Sequence, residues 1–248
     1  MASAFIPATV LENYQWADNL FSIKLESELL PFSAGQFVRL QLEIEGEKVA
    51  KPYSLVNSPR QKNAEVFYNT VESGVMSNAL AALTAGDTIE ISQPAAGFFV
   101  LAEVPDTKIL WMFATGTGLG PYLSMMQEDE IWNRFDKLVL VHAVSYANNL
   151  AYQALIHSLK TQHSNILSYV PIVSRETTSG ALQGRIPALI SDGQLEQAAG
   201  LHLNAETSHV MLCGNQNMIA DTKVVLAELG MKKHLRRKPG HITTEQYF

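Results

Sequence analysis

The chain has 248 residues, of which 47% are apolar and 17% charged, with a formal net charge of −6. At about 150 residues per domain the length gives one or two domains, and so ordinary a composition excludes disorder as the main state. The single cysteine, Cys213, excludes a disulfide framework, an iron–sulfur cluster and a cysteine-built zinc site, and the acidic balance argues against nucleic acid as a main partner.

No run of about 18 uncharged apolar residues occurs, so no membrane partner is expected. Met1–Pro7 carries neither the basic region nor the long apolar stretch of a secretion signal, which, with a reduced thiol, makes the cytoplasm the expected location.

Taken along the chain, short strands are expected at Ala8–Tyr14, Phe21–Glu26, Gln36–Ile44, Glu65–Val71 and Thr88–Ser92. In the third, Val38, Leu40, Leu42 and Ile44 share one face and Arg39, Gln41 and Glu43 the other, the period of a half-buried strand. Turn signals at Ala34-Gly35, Asn57-Ser58-Pro59 and Gly86-Asp87 separate them, and such spacing predicts an antiparallel barrel or sandwich. One helix interrupts this half: Ser77 reads as its N-cap, Leu80 and Leu83 recur at helical spacing, and Gly86 ends it.

After Pro105 the pattern changes. Lys108–Ala114, Leu138–Val144, Ile166–Ser174 and His209–Cys213 are continuous apolar runs, alternating with helical stretches at Pro121–Gln127, Leu150–His163, Ile186–Ala199 and Asn217–Gly230. That alternation predicts a doubly wound parallel α/β sheet covered on both faces. The division falls between residues 103 and 104, giving a β-rich domain, 1–103, and an α/β domain, 104–248.

Ligands of such sheets bind beyond the carboxyl ends of the strands. The first apolar run enters Ala114-Thr115-Gly116-Thr117-Gly118-Leu119-Gly120-Pro121. Its alternate glycines serve either a tight strand-to-helix turn or backbone N–H groups that approach a pyrophosphate. The last run ends at Cys213-Gly214-Asn215, again before a helix; a lone cysteine is more often a small core residue than a reactive one. In the β-rich half, Lys51-Pro52-Tyr53-Ser54 puts a cation, a ring and a hydroxyl into four extended residues. Gly74, Met76 and Ser77 would bring the donors of a helix start toward an anion. The seven histidines form no metal pattern, and neither a G-x-S-x-G elbow nor a Walker A loop occurs. Lys232, Lys233, Arg236, Arg237 and Lys238 make a basic run that is either a solvated turn or a docking patch for an acidic partner or a phosphate.

Together and in this order these pieces resemble the ferredoxin/flavodoxin–NADP⁺ reductases, most nearly the bacterial type with a short aromatic C-terminus. The resemblance covers nearly the whole chain. It rests on Lys51–Ser54 with Asn57-Ser58-Pro59, Ala95–Phe99, Gly116–Pro121, Val173–Glu176, Gly184–Pro187, Cys213–Asn215, Arg236–Gly240 and Glu245-Gln246-Tyr247-Phe248. It implies an N-terminal antiparallel β-barrel that binds FAD, with a capping helix, and a C-terminal NADP(H)-binding α/β domain. By that resemblance Tyr53 stacks on the flavin, Ser54 hydrogen-bonds its N5 edge, and Lys51, next to Pro52 in the FAD site, reaches the FAD pyrophosphate. Phe67, Tyr68, Asn69 and Thr70 line the flavin, while Gly74, Val75, Met76 and Ser77 present N–H groups to the pyrophosphate. Thr117 sits near both rings. Val144, Ser145, Ser174, Arg175 and Arg185 form the NADP(H) side, the two arginines gripping the 2′-phosphate. Cys213, Gly214 and Asn215 shape the nicotinamide slot. Tyr247 covers the other flavin face and Phe248 stacks on the adenine. Ser54, Cys213, Glu245 and Tyr247 are the implied catalytic residues.

The resemblance further implies a monomer that exchanges electrons with acidic ferredoxin or flavodoxin through the basic run. Three positions depart from the family pattern: Lys51 for an arginine, Phe248 for a tryptophan, and Ser145 where a third arginine often stands. Two rival readings are a flavin or oxygenase-type reductase of the same architecture and a nucleotide-binding electron-transfer subunit that does not turn over alone.

Overall fold

The computed structural model describes residues 4–247 and divides into two compact units. One comprises the residues up to Leu101 with Gly120–Glu128, the other Ala102–Leu119 with the residues from Asp129 onward. No helix among the described residues is long and apolar enough to cross a membrane.

The first unit is an antiparallel sheet of β1 (Ala4–Ala17), β2 (Leu20–Glu26), β3 (Phe37–Ile44), β4 (Glu47–Ser54), β5 (Ala64–Asn69) and β6 (Thr88–Gln93), in the order β4-β3-β6-β1-β2-β5. The edge strands meet just past Ser54: Leu55 bridges Val66 and the Val56 N–H donates to Glu65 O at 2.8 Å, which turns the sheet toward a barrel. Ile23, Leu25, Val38, Leu40, Val66, Ile89 and Ile91 fill its interior, as their alternation dictates. Helix α1 (Val75–Ala81) closes one side with Met76 and Leu80.

The sequence pattern shows only the last four residues of β4 as extended. The strand exists because Glu45 and Gly46, both at positive φ (53° and 82°), make a two-residue hairpin that pairs Ile44 with Glu47. Helix α2 (Gly120–Met126), grouped by the sequence pattern with the α/β half, packs in this unit. The Ser124 hydroxyl donates to Asn57 O at 2.7 Å and the Gln127 side-chain amide to Val56 O at 2.9 Å.

The second unit is a parallel sheet of β7 (Ile109–Thr115), β8 (Lys137–Val144), β9 (Leu167–Val173), β10 (Leu182–Gln183), β11 (Ser208–Asn215) and β12 (Ile242–Tyr247), in the order β10-β9-β8-β7-β11-β12. It carries α3 (Asp129–Arg134), α4 (Gln153–Gln162), α5 (Ile186–Ser191), α6 (Gln194–Ala199) and α7 (Gln216–Glu228). Trp111, Phe113, Val139, Val141, Val210 and Leu212 pack on α5, α6 and α7. From the opposite face Leu110, Met112, Leu138 and Leu140 are equally buried, which is why these strands read as continuous apolar runs. The stretch expected as one helix over 186–199 is two, broken at Gly193, whose φ is 77°.

Candidate functional site

In the first unit the expected flavin residues gather around one aromatic corner. Lys51 and Tyr53, two apart on β4, share a face; Lys51 and Pro52 are exposed, Tyr53 is half-buried and Ser54 buried opposite Phe37. The Tyr53 ring meets Tyr68 edge-on at 6.1 Å, and the Tyr68 hydroxyl donates to the Asn13 side-chain oxygen at 3.0 Å. Asn13 in turn donates to the carbonyls of Leu80 and Leu83, both at 2.9 Å, so β1 holds the end of α1. Burial pushes the Tyr53 hydroxyl up to about 12 and raises that of Tyr68 as well, so both stay neutral. Phe67 is buried with Tyr68, Asn69 is exposed, and the Thr70 N–H donates to Asn19 O at 3.0 Å.

Ser77 does not cap α1. Gly74 holds the N-cap position without a side-chain cap, and the Ser77 hydroxyl, inside the first turn, donates back to Gly74 O at 3.1 Å. A Cβ on Gly74 would lie 2.4 Å from Ser77 Oγ and 2.5 Å from Val71 Cγ2, so any other residue there must displace those side chains. The N–H groups of Val75, Met76 and Ser77 precede the first intrahelical bond, which is made by the Asn78 N–H to Gly74 O.

In the second unit the sheet order, counted from β7, is 4-3-2-1-5-6, and the progression of strands reverses between β7 and β11. Open α/β sheets bind ligands at that switch point, and the two sequence-predicted loops meet there. Gly118 lies against the end of β11 so tightly that a Cβ would sit 2.4 Å from Cys213 O. The Asn215 N–H donates to Thr115 Oγ1 at 2.8 Å, and Gly214, at φ 128°, has room for no side chain beside that hydroxyl. The Asn215 side chain accepts from the N–H groups of Asn217 and Met218 and so caps α7. Buried Cys213 stands in register with Ala114 on one side and Glu245 on the other. Thr117, Cys213, Gly214, Asn215 and Glu245 thus converge. In Tyr247 only the main chain is described, in register with Asn215; Phe248 lies outside the described residues.

The remaining residues line the same carboxyl edge further along. The Ser174 N–H donates to Val144 O and the Arg175 N–H to Ser145 O, each at 3.0 Å, while exposed Arg185 occupies the N-cap of α5. From β9 to β11 is three strand spacings, about 14 Å, room for an extended dinucleotide. Sequence reasoning passed over His142, whose buried ring reaches Gly116 O at 3.1 Å, and Asn13; their partners lie on other elements and leave no local signal.

A β-barrel followed by a parallel sheet, with polar and small residues gathered at the switch point, defines the class: an oxidoreductase with separate flavin and nicotinamide nucleotide domains. The family model of the oxidoreductase FAD-binding domain matches residues 11–99, and that of the oxidoreductase NAD-binding domain residues 112–224. The chain is 51% identical over 245 residues to a flavodoxin/ferredoxin–NADP reductase of Shigella flexneri, covering 98% of this chain and 99% of the other. It is 34% identical to a ferredoxin–NADP reductase of Azotobacter vinelandii, covering 96% of each. Among solved structures it matches a ferredoxin NADP⁺ reductase from Neisseria gonorrhoeae with bound FAD and NADP, at a TM-score of 0.93 and 32% identity over 98% of this chain and 99% of the other. The chain belongs to the flavodoxin/ferredoxin–NADP reductase family.

Proposed function

We propose that the chain catalyses electron exchange between NADP(H) and an acidic one-electron carrier, ferredoxin or flavodoxin, with FAD as its prosthetic group. The observation that carries this reading is the parallel register of Cys213 and Glu245 beside the glycine loop, on the sheet edge where Arg175 also stands.

The residues fit both groups. In the first unit, half-buried Tyr53 offers a ring, buried Ser54 a hydroxyl, Lys51 a cation and α1 its first-turn N–H groups, which suit a flat ring and a pyrophosphate. Phe67 to Thr70 form the adjoining strand end. In the second unit, the close approach of Gly118 to β11 leaves backbone rather than side chain at the switch point, and two exposed guanidinium groups suit a phosphate dianion.

FAD, when bound, supplies the conversion between two-electron hydride chemistry and one-electron transfer. The chain contributes placement. Arg175 and Arg185 hold the 2′-phosphate end of the dinucleotide; Thr117, Cys213, Gly214 and Asn215 shape the slot for its nicotinamide end, with Val144, Ser145 and Ser174 forming the floor between. Cys213, fully buried, excludes water there. The Ser54 hydroxyl and the Glu245 carboxyl are read as the groups that orient the nicotinamide or relay a proton. Lys51 is a point charge in place of a planar fork and so holds its phosphate without bidentate geometry.

The basic run 232–238 serves as the carrier-docking surface. The reading places the protein in the cytoplasm, which the lone buried thiol supports, and makes it a monomer, to be checked by light scattering. The deciding experiment is anaerobic stopped-flow of the FAD-loaded protein with NADPH, then NADH, then reduced carriers. Rapid bleaching by NADPH and fast turnover with ferredoxin or flavodoxin are expected. A polypeptide that stays colourless after incubation with FAD overturns the reading.

A further inference from the structure

The loops that follow β8 and β9 hold an aromatic side chain that the assigned site leaves unused. The two chains stay bonded past the ends of the strands, through the Ser174 N–H to Val144 O and the Arg175 N–H to Ser145 O, both at 3.0 Å. Beyond them the Ala147 N–H donates to the Glu176 carboxylate at 2.5 Å, and the Asn149 N–H to Tyr146 O at 3.0 Å. Tyr146, in extended conformation at φ −130° and ψ 153°, is therefore fixed from both sides. The residue is 44% exposed, and the guanidinium carbon of Arg175 lies over its ring, 5.8 Å from the centroid.

A lone exposed aromatic needs no explanation. One that carries the guanidinium assigned to a phosphate does. An arginine on a free surface surrenders much of its rotamer freedom when it closes on a phosphate. A ring within about 6 Å holds the cation through its quadrupole and leaves the N–H donors for another partner. Position 145 is a serine and brings no charge, so the setting of Arg175 counts for more.

We propose that Tyr146 is a specificity-determining positioning residue: it holds Arg175 ready for the 2′-phosphate and thereby favours NADP(H) over NAD(H). The inference rests on the reading that Arg175 grips that phosphate.

The test compares binding of adenosine 2′,5′-bisphosphate and of AMP by calorimetry, with NADPH and NADH kinetics alongside, for Tyr146→Leu, Tyr146→Phe, Arg175→Ala and the double variant Tyr146→Leu/Arg175→Ala. Tyr146→Leu should weaken the bisphosphate and NADPH about two- to fivefold and leave AMP and NADH unchanged. Tyr146→Phe, which keeps the ring, should match the parent, and Tyr146→Leu should add nothing once Arg175 is alanine. Equal losses for both nucleotides would mean that the ring stacks on the base and would overturn the proposal, as would full additivity in the double variant. A selective loss in Arg175→Ala with none in Tyr146→Leu overturns the proposal alone. No selective loss in Arg175→Ala removes the phosphate reading and this inference with it.

Discussion

The Nε2 of His142, in the middle of the parallel sheet, lies 3.1 Å from the carbonyl oxygen of Gly116, so β8 holds the first residue of the turn that follows β7. The ring is fully buried and its Nδ1 has no hydrogen-bonding partner among the described residues. Desolvation of this kind disfavours the charged form, and it pushes the His142 pKa down to about 4.

Acid sensitivity follows from that burial. The unfolded chain takes up a proton on this ring near its usual 6.5, the folded chain only near 4. Stability contributed by His142 is therefore complete above the higher value and lost as pH falls through the window between the two. His209, pushed down to about 3 by burial and then by the nearby His234, acts in the same direction. Urea midpoints measured at about pH 7.5, 5.5 and 4.5 should fall, the unfolding free energy dropping by roughly 1.4 kcal/mol per pH unit for each ring once below its unfolded value. His142→Phe should flatten that slope. A midpoint that does not move over this range would show that the ring is not held neutral.

The glycines of the switch-point loop should differ in cost. Gly116 has φ 53° but nothing within 4 Å of a built Cβ, so Gly116→Ala should cost only about 1–2 kcal/mol of backbone strain. In Gly118→Ala the new carbon would meet Cys213 O at 2.4 Å and Gly214 N at 2.9 Å, both backbone atoms. The loop and the end of β11 must then separate. The expected result is a larger loss of stability, about 2–3 kcal/mol, with NADPH binding weakened well beyond that of Gly116→Ala. Thermal melts and NADPH titrations of the pair check it; equal effects would show that the loop yields freely.

How much of this was legible beforehand depends on where each signal lay. Most strands of both sheets, though not β10 or the start of β4, were read because alternation in β3 and continuous apolar runs in β7 and β8 are direct imprints of one-sided and two-sided burial. Strand β12, Ile-Thr-Thr-Glu-Gln-Tyr, has neither imprint; it is a strand because β11 pairs with it residue for residue. Ser77 looked like a cap because its type suits one, but the chain enters α1 three residues earlier, at Gly74. Candidate site residues carried by contiguous motifs, such as Lys51–Ser54 and Cys213–Asn215, could be proposed from the chain alone. His142 could not, because its partner Gly116 lies 26 residues away on another strand's turn, and no local pattern encodes that meeting.

Helix α1 should owe more to Asn13 than to its own first turn. Asn13 binds two carbonyls at the end of the helix and accepts from Tyr68, whereas the Ser77 hydroxyl makes one bond within the turn. Asn13→Ala should cost about 2–3 kcal/mol by stranding those groups, and FAD should dissociate faster. Ser77→Ala should cost less than about 1 kcal/mol, below the usual loss of a true cap. Flavin fluorescence released on dilution distinguishes the two, and a larger effect from Ser77→Ala would reverse the assignment.

The two arginines at the tip of the basic run should also behave differently toward an acidic carrier. Leu235 and Lys238 exchange backbone hydrogen bonds at 3.1 and 2.8 Å, closing a tight turn with Arg236 and Arg237 at its apex. Arg236 forks onto Glu103 at 2.8 and 2.5 Å, and that contact holds the Glu103 carboxyl below its usual range, so the pair is ionised and largely neutral as a unit. Long-range attraction depends on uncompensated charge and is screened by salt. Arg237→Ala should therefore lower kcat/KM for ferredoxin or flavodoxin severalfold at low ionic strength, with the gap closing as salt is added and ferricyanide turnover unchanged. Arg236→Ala removes a cation but releases Glu103 as an anion beside the turn, and Glu103→Gln releases the cation. The first should depress carrier turnover at least as much as Arg237→Ala, and the second should raise it above the parent. If Glu103→Gln instead leaves the salt dependence unchanged, the turn plays no part in steering the carrier.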